Sequence, residues 1–393
     1  MVFVDVILIA TTGLLIVPFA VFWMECILAL LPRKRRQPTE LLAEEVWVVI
    51  PAHNEAAVIS DTLSHLKRTL NGNTSVLVIA DNCDDDTARI ALDEGCHVLE
   101  RSNKVQRGKG FALQFACEYL TKTHSPSVVV ILDADCEVGR ETITQISSLA
   151  FQTNRPVQGL NLSTSPHSTS KLSTLSELGF RFKNLVRPSG LLRIGMPCHL
   201  MGTGIAIPWS ALANPQTLSD DLAEDMQLGV DLAVAGYPTY FYPDVEVSSQ
   251  LPQNQSGFMT QRTRWEQGHL QTSLKQIPIL IRQSIRQRRI DLLMLALDLT
   301  IPPFSLLMIS WACVLFLSLL GWIGGASVWP LVIMAVAGGT TALTIFCCWL
   351  KFCRDRIPFS SLVFLPFYAL RKVPIYLSFL SGRAVRQWVR TER

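Results

Sequence analysis

From Leu299 to Leu350 the chain carries no charged residue. At about 1.5 Å per helical residue, such a run is longer than one bilayer crossing needs. Gly324-Gly325 and the Ala-Ser-Val after them interrupt it near its middle. It therefore reads as two membrane-spanning helices joined by a very short turn, a unit of residues 297–350. Lys351, Arg354 and Arg356 mark the return to the polar phase. A second apolar run, Val6 to Leu31, has Glu25 as its only charge and is followed by the basic cluster Arg33-Lys34-Arg35-Arg36. A secretory signal has the reverse order, basic first. Residues 1–32 are thus expected to be an amino-terminal transmembrane anchor, with residue 1 outside and residue 33 onward cytoplasmic by the positive-inside rule.

Ile357 to Leu380 is harder to place, because Arg371-Lys372 sit in the centre of an otherwise apolar stretch, where charge in hydrocarbon is costly. The arginines that follow, Arg383, Arg386, Arg390 and Arg393, favour a cytoplasmic tail. An interfacial or re-entrant segment with a basic tail, residues 357–393, satisfies both facts better than a further span. The stretch Arg282 to Arg289, flanked by Ile277–Ile281 and Leu292–Leu297, has the pattern of an amphipathic helix lying on the membrane. The formal net charge of +3 is gathered in clusters beside apolar segments, which points to the lipid bilayer as partner and not to nucleic acid. The expected location is the cell (inner or plasma) membrane. Ten cysteines are scattered without a C-x-x-C pair or zinc spacing, as befits small apolar residues kept reduced.

The charged middle alternates strands with helices. Val46–Ile50 is a short β-branched run ending at Pro51, Glu55–Leu70 has helical spacing, and Val76–Ala80 is a second strand that stops at an acidic turn, Asp81 to Asp86. Thr87–Glu94 is helical, Val98-Leu99 a short strand, Gly110–Leu120 a helix, and Val128–Leu132 a buried strand ending at Asp133-Ala-Asp135. Alternation of this kind predicts βαβ units, hence an α/β fold with a mostly parallel sheet. Ligands of such sheets bind beyond the carboxyl ends of the strands. Asn54-Glu55, Asp81 and Asp133/Asp135 all follow strands, so they are expected on one edge. Gathering carboxylates there without fixed cations calls for a metal or a donor-rich ligand.

Asp133-x-Asp135 supplies hard oxygen ligands suited to Mg2+ or Mn2+ beside phosphate oxygens. Asp81 and Glu55 offer acceptors for a nucleobase or ribose, or else serve as a turn residue and a helix-dipole partner. Arg107-Gly-Lys-Gly110 lacks phosphate-loop spacing and reads as a Gly-flanked basic loop bringing Lys109 to a nucleotide. Met201-Gly-Thr-Gly204 is a tight turn. Glu224-Asp225 opens a helical run from Met226 to Ala235; the pair is either a cap or, through Asp225, a general base. Gln261-x-x-Arg264-Trp265 sets an amide, a guanidinium and an indole on one side of a helix turn. Arg264 suits diphosphate oxygens, and Trp265 offers either a sugar platform or an interfacial anchor.

Taken in order, Pro51-x-x-Asn54-Glu55, Asp81, Asp133-x-Asp135, Glu224-Asp225 and Gln261-x-x-Arg264-Trp265 resemble the motifs of family 2 glycosyltransferases. By overall plan the chain is similar to membrane-embedded polysaccharide synthases: cellulose, hyaluronan and poly-N-acetylglucosamine synthases. The resemblance runs over residues 45–270 by motif and over the rest by membrane layout. It implies a GT-A fold at 45–255, with the Q-x-x-R-W and amphipathic interface helices at 256–296. It also implies a metal-dependent, inverting transfer of a sugar from a UDP-sugar to a growing glycan for exopolysaccharide synthesis. Pro51, Asn54, Glu55, Asp81, Lys109, Asp133 and Arg264 would then bind the donor, Asp135 the metal, and Glu224, Gln261 and Trp265 the acceptor, with Asp225 as catalytic base. Ala223 stands where the synthases usually carry Thr. About three spans make a smaller membrane part than cellulose synthase has, so a polymer channel would need the interfacial segments, a second copy or an export partner. The small membrane part favours the other reading, a non-processive transferase adding one sugar to a lipid-linked acceptor.

Cysteine-accessibility mapping in intact membranes is expected to find residues 33–36 and 393 on one face and residue 1 on the other. Residue 393 on the face of residue 1 would overturn the interfacial assignment of 357–380.

Overall fold

The computed structural model describes residues 2–33, 45–164, 171–212, 224–250 and 255–382. A long helix, α1 (Val2–Leu30), precedes the alternating part: β1 (Val46–Ala52), α2 (Ile59–Lys67), β2 (Thr74–Asp81), α3 (Thr87–Asp93), β3 (His97–Arg101), α4 (Lys109–Thr123) and β4 (Val128–Ile131). Next come β5 (Cys136–Val138), α5 (Thr142–Thr153), β6 (Val157–Thr164), α6 (Lys171–Arg181), a π-helical turn Phe182–Val186 and α7 (Arg187–Arg193). The sheet is completed by β7 (Ile205–Pro208), α8 (Trp209–Leu212), α9 (Glu224–Val234) and β8 (Tyr240–Gln250). The remainder is helical: α10 (Gln255–Gln287), α11 (Ile290–Leu299), α12 (Phe304–Ile323), α13 (Trp329–Phe352), a 3-10 turn Phe359–Phe364, α14 (Leu365–Leu370) and α15 (Val373–Leu380).

The eight strands form one sheet in the order β3-β2-β1-β4-β7-β6-β8-β5. The expected parallel arrangement holds for β3, β2, β1 and β4. Beyond β4 the sheet is mixed: β7 runs antiparallel to β4 and β6, β8 parallel to β6, and β5 antiparallel to β8. Side chains of β1 and β4 alternate between two apolar layers. Val48, Ile50 and Val130 pack with Leu63 and Ile146 on one face, while Trp47, Val49, Val129 and Ile131 pack with Leu113, Leu120 and Leu232 on the other. Burial on both faces is why these strands read as unbroken apolar runs.

Two boundaries differ from expectation, each for a local reason. β1 runs through Pro51 because β4 ends at Ile131, level with Val49, so the missing N–H of Pro51 leaves no strand partner unsatisfied on that side. The helix expected from Glu55 starts at Ile59. Asn54 has φ +55°, and the backbone N–H of Glu55 donates to Thr87 Oγ1 at 2.8 Å, so residues 54–56 hydrogen-bond to the turn after β2 instead of to a helix.

Among the described residues four helical stretches are long and apolar enough to cross a membrane: Val2–Leu30, Phe304–Ile323, Trp329–Phe352 and Phe359–Leu380. The last is bent into three short helices with a break at Arg371-Lys372. Small residues let these helices approach closely: a Cβ on Gly338 would collide with Trp311, and one on Gly321 would meet Leu8 at 2.8 Å. Asp5 accepts the Ser327 N–H at 2.7 Å, which sets the start of α1 beside the α12–α13 turn. At the opposite end Lys351 Nζ donates to the carbonyls of Ala29 and Leu30 at 2.9 and 2.8 Å, capping the carboxyl end of α1 with a cation.

The sheet domain is joined to α1 backbone to backbone. A Cβ on Gly190 of α7 would overlap the Glu25 carbonyl. Gly190→Ala is therefore expected to lower the thermal midpoint of the detergent-purified protein, at an overpacking cost of about 1–3 kcal/mol or more. Gly13→Ala, whose Cβ would meet nothing within 4 Å, should match wild type. Equal midpoints for both variants would show that the α1–α7 contact is not tight.

Candidate active site

The carboxyl ends of β1, β2 and β4 gather the acidic residues as the alternating pattern requires. Asp81 closes β2 and is buried, 6% exposed. Its Oδ1 accepts from Arg101 at 2.7 Å and from Asn82 Nδ2 at 2.9 Å, while its carbonyl accepts from His53 Nδ1 at 2.7 Å. Asp133 follows β4. Its N–H donates to Thr203 Oγ1 at 3.0 Å, and its carboxylate is paired with Lys109, whose Nζ also donates to the Gly202 carbonyl at 2.6 Å. This edge therefore carries fixed cations as well as carboxylates. Arg101 and Lys109 stand against two of its carboxylates, because the chain that leaves β3 and enters α4 folds back over the strand ends.

Lys109 is the first residue of α4, and Gly108 before it has φ +125°, a conformation open to glycine. The turn Met201–Gly204 lies across the Asp133 region for a similar reason. Gly202 and Gly204 have φ +89° and +67°, and a Cβ on Gly204 would come within 2.6 Å of Val247. A Cβ on Gly202 would lie 3.6 Å from Asp225 Oδ2, which brings the second residue of α9 next to the Lys109–Asp133 pair. Glu224 opens α9, but its side chain lies outside the described residues, as does Ala223. Asn54 does not line the cavity: its Oδ1 accepts the Asp84 N–H at 2.7 Å, tying the end of β1 to the turn after β2.

Asp133, Asp135 and Cys136 place ligand atoms within 4.8 Å of one another. Burial pushes the Cys136 thiol up, and the adjacent aspartates add to the rise. It stays a protonated thiol, and the donor set reduces to carboxylate oxygen, the chemistry of a hard divalent cation.

The motif on α10 closes the site from the helical part. Gln261, Arg264 and Trp265 line the same cavity as the strand-end carboxylates. Trp265 meets Phe180 edge to face at 5.2 Å, and the Arg262 guanidinium lies 5.9 Å from the Trp265 ring and 6.0 Å from Phe180. The next residue, Glu266, is buried and accepts from Lys372 Nζ at 2.5 Å and the Tyr376 hydroxyl at 2.6 Å. Gln267 Nε2 reaches the Ile375 carbonyl at 3.1 Å and Ser378 Oγ at 2.8 Å. The charge in the middle of 357–380 is there to hold this helix. His269, pushed down to about 3 by burial and by Lys183 and Arg187 nearby, is neutral and donates to the Ile301 carbonyl at 3.1 Å.

Most of these groups line one cavity of about 830 Å³; Arg101, Cys136, Gln267 and Tyr376 do not. Pro51, Glu55, Asp81, Lys109, Asp133 and Asp135 line it from the sheet, Asp225 from α9, Gln261, Arg264 and Trp265 from α10, and Phe304, Met308, Trp311 and Ile345 from α12 and α13. Sequence reasoning missed Arg101, Lys183, Arg187, Glu266 and Lys372. A signal existed for two: Lys183 and Arg187 are cations four residues apart in a segment otherwise set with Phe182, Leu185 and Val186.

The model of the family described as glycosyltransferase like family 2 matches residues 43–268. The uncharacterized protein MJ1222 of Methanocaldococcus jannaschii is 33% identical over 108 residues, 27% of this chain, and the chain spans 42% of that relative's length. The mannosyltransferase PcManGT from Pyrobaculum calidifontis, solved with GDP-Man and Mn2+, superposes with a TM-score of 0.61 at 17% identity, over 97% of this chain and 99% of the other. That likeness extends through the helices as well as the sheet, and it shows a GT-A-like fold. With more than half its length matched by the family model, and with the strand-end carboxylates where that fold needs them, the chain belongs to glycosyltransferase like family 2.

Proposed function

We propose that the protein catalyses a single, inverting transfer of a sugar from a nucleoside diphosphate sugar, a UDP-sugar in the first instance, to an acceptor carried by a membrane lipid. The observation that supports this reading is the continuity of the cavity from Asp133 and Asp135 to the apolar side chains of α12 and α13. A soluble acceptor needs no apolar wall of that kind. A growing glycan, the second reading, is favoured by Trp265 and Phe180, which offer an aromatic face in the middle of the cavity.

In this mechanism Glu55 and Asp81 receive the nucleoside, with Pro51 shaping the wall beside it, and Lys109 and Arg264 contribute positive charge to the diphosphate. Asp135, with Asp133 beside it, would hold Mg2+ or Mn2+, which bound there supplies charge neutralisation to the leaving group. Asp225 takes the proton from the acceptor hydroxyl. The hydroxyl oxygen forms a bond to the anomeric carbon as the bond from that carbon to the diphosphate oxygen breaks, and the nucleoside diphosphate leaves with the electron pair. One displacement inverts the anomeric configuration. Gln261, Glu224 and Trp265 act on the acceptor side.

On this reading residues 45–255 are the catalytic domain, facing the cytoplasm, and 256–296 join it to the membrane surface. Segments 1–32 and 297–350 anchor it in the cell membrane, and 357–393 is an interfacial or re-entrant segment with a basic cytoplasmic tail, of which residues 383–393 lie outside the described residues. A second copy or an export partner enters only if the product is a polymer.

Two measurements test the proposal. Transfer of labelled sugar should stop in EDTA, return with Mn2+ or Mg2+, and stay absent in Asp135→Ala; full turnover in EDTA would remove the metal from the mechanism. Asp225→Asn should lower turnover by about 10²–10⁴-fold while nucleotide-sugar affinity stays within a few fold. Affinity falling in parallel with rate would make Asp225 a donor-positioning residue instead.

A further inference from the structure

Most cations around the cavity are matched. Arg101 is paired with Asp81, Lys109 with Asp133, Lys372 with Glu266, and Arg187 with both Glu25 and Asp298. Lys183 is different. It stands in the π-helical turn between α6 and α7, a device that recurs at functional sites because it turns side chains out of helical register. Among the described residues no carboxylate, hydroxyl or carbonyl lies within bonding distance of its ammonium. Its side chain is accessible, yet it sits deep inside the chain, so the accessible surface is cavity wall.

The surroundings accentuate this. Burial lowers the proton affinity of Lys183, Arg187 and Arg262 lower it further, and Asp225 opposes them. An ammonium that is enclosed, next to other cations and without a bonded partner, is stabilised most by an anion entering the cavity. Asp225 and the pair Lys109–Asp133 line the same cavity as Lys183, and so do the apolar residues Phe304, Met308 and Trp311 of α12.

We propose that Lys183 binds the phosphate of a long-chain lipid phosphate or diphosphate that carries the acceptor, with the chain against α12 and the group to be glycosylated at Asp225. The proposal rests on the lipid-acceptor reading above and adds to it an anion subsite separate from the one that holds the donor diphosphate.

The test uses the full chain in nanodiscs of zwitterionic lipid, as wild type, Lys183→Gln and Lys183→Arg, with thermal midpoints checked. The binding probes are a long-chain polyprenyl monophosphate, the matching polyprenol, and UDP or GDP. Wild type should prefer the phosphate to the alcohol. Lys183→Gln should weaken phosphate binding by about 10–100-fold, as expected for a charge-assisted hydrogen bond, with polyprenol and nucleotide affinities within about twofold. Lys183→Arg should keep most of the preference. Unchanged phosphate affinity in Lys183→Gln overturns the inference. A parallel loss of nucleotide affinity in a folded Lys183→Gln assigns Lys183 to the donor and overturns it too. If the Gln variant does not fold, the Arg variant decides: phosphate preference kept supports the subsite, and preference lost overturns it. Transfer to a butanol-extractable product at wild-type KM by Lys183→Gln would end this inference and leave the lipid-acceptor reading standing. Labelled product from wild type that is never butanol-extractable would end that reading itself.

Discussion

Glu25 is a fully buried carboxylate in an otherwise apolar helix, and it persists there because Arg187 donates to it at 2.7 Å. The same guanidinium is paired with Asp298 of α11, which also meets His199 at 3.3 Å. A planar fork with five donors can serve two carboxylates on two elements at once, which an ammonium does less well. Removing one partner from a buried pair costs about 3–5 kcal/mol, since the other charge is left stranded. The joint therefore ties α1, α7 and α11 into one arrangement. Gly190, one turn from Arg187, lets the backbones of α7 and α1 touch. The π-helical turn that carries Lys183 abuts this joint, so its direction into the cavity depends on it.

Charge pairing also explains how the strand-end carboxylates are tolerated. Like charges gathered at one sheet edge repel one another. Arg101 and Lys109 pair with Asp81 and Asp133, and Asp135 lies beside Asp133. The α10 wall follows the same logic. Glu266, one residue past Trp265, is anchored by Lys372 and Tyr376, so the α10 helix is clamped by the very segment whose central cation looked out of place in an apolar run.

The first four strands, α1 and the α12–α13 pair were legible because each follows from a local requirement. A strand buried on both faces must be apolar throughout, and a bilayer crossing must lack charge. The strands beyond β4 were not legible: β5 and β7 are three and four residues long, too short for a period to show. The start of α2 was misjudged because the hydrogen bonds that delay it come from Thr87 and Asp84, in a different turn.

By itself the sequence determined the long apolar helices, the α/β alternation and the strand-end placement of Glu55, Asp81, Asp133 and Asp135, since each is written in spacing along a few turns or a few strand residues. Only the tertiary structure decided which cation faces which carboxylate, that Trp265 stands in a cavity wall with Phe180 and Arg262, and that Lys183 has no hydrogen-bonded or ion-paired partner among the described residues. Those outcomes join residues far apart in the chain: Glu25 and Arg187 are separated by 162 positions and Glu266 and Lys372 by 106. Coulomb attraction and burial act through space, and no local period records which distant side chain will arrive.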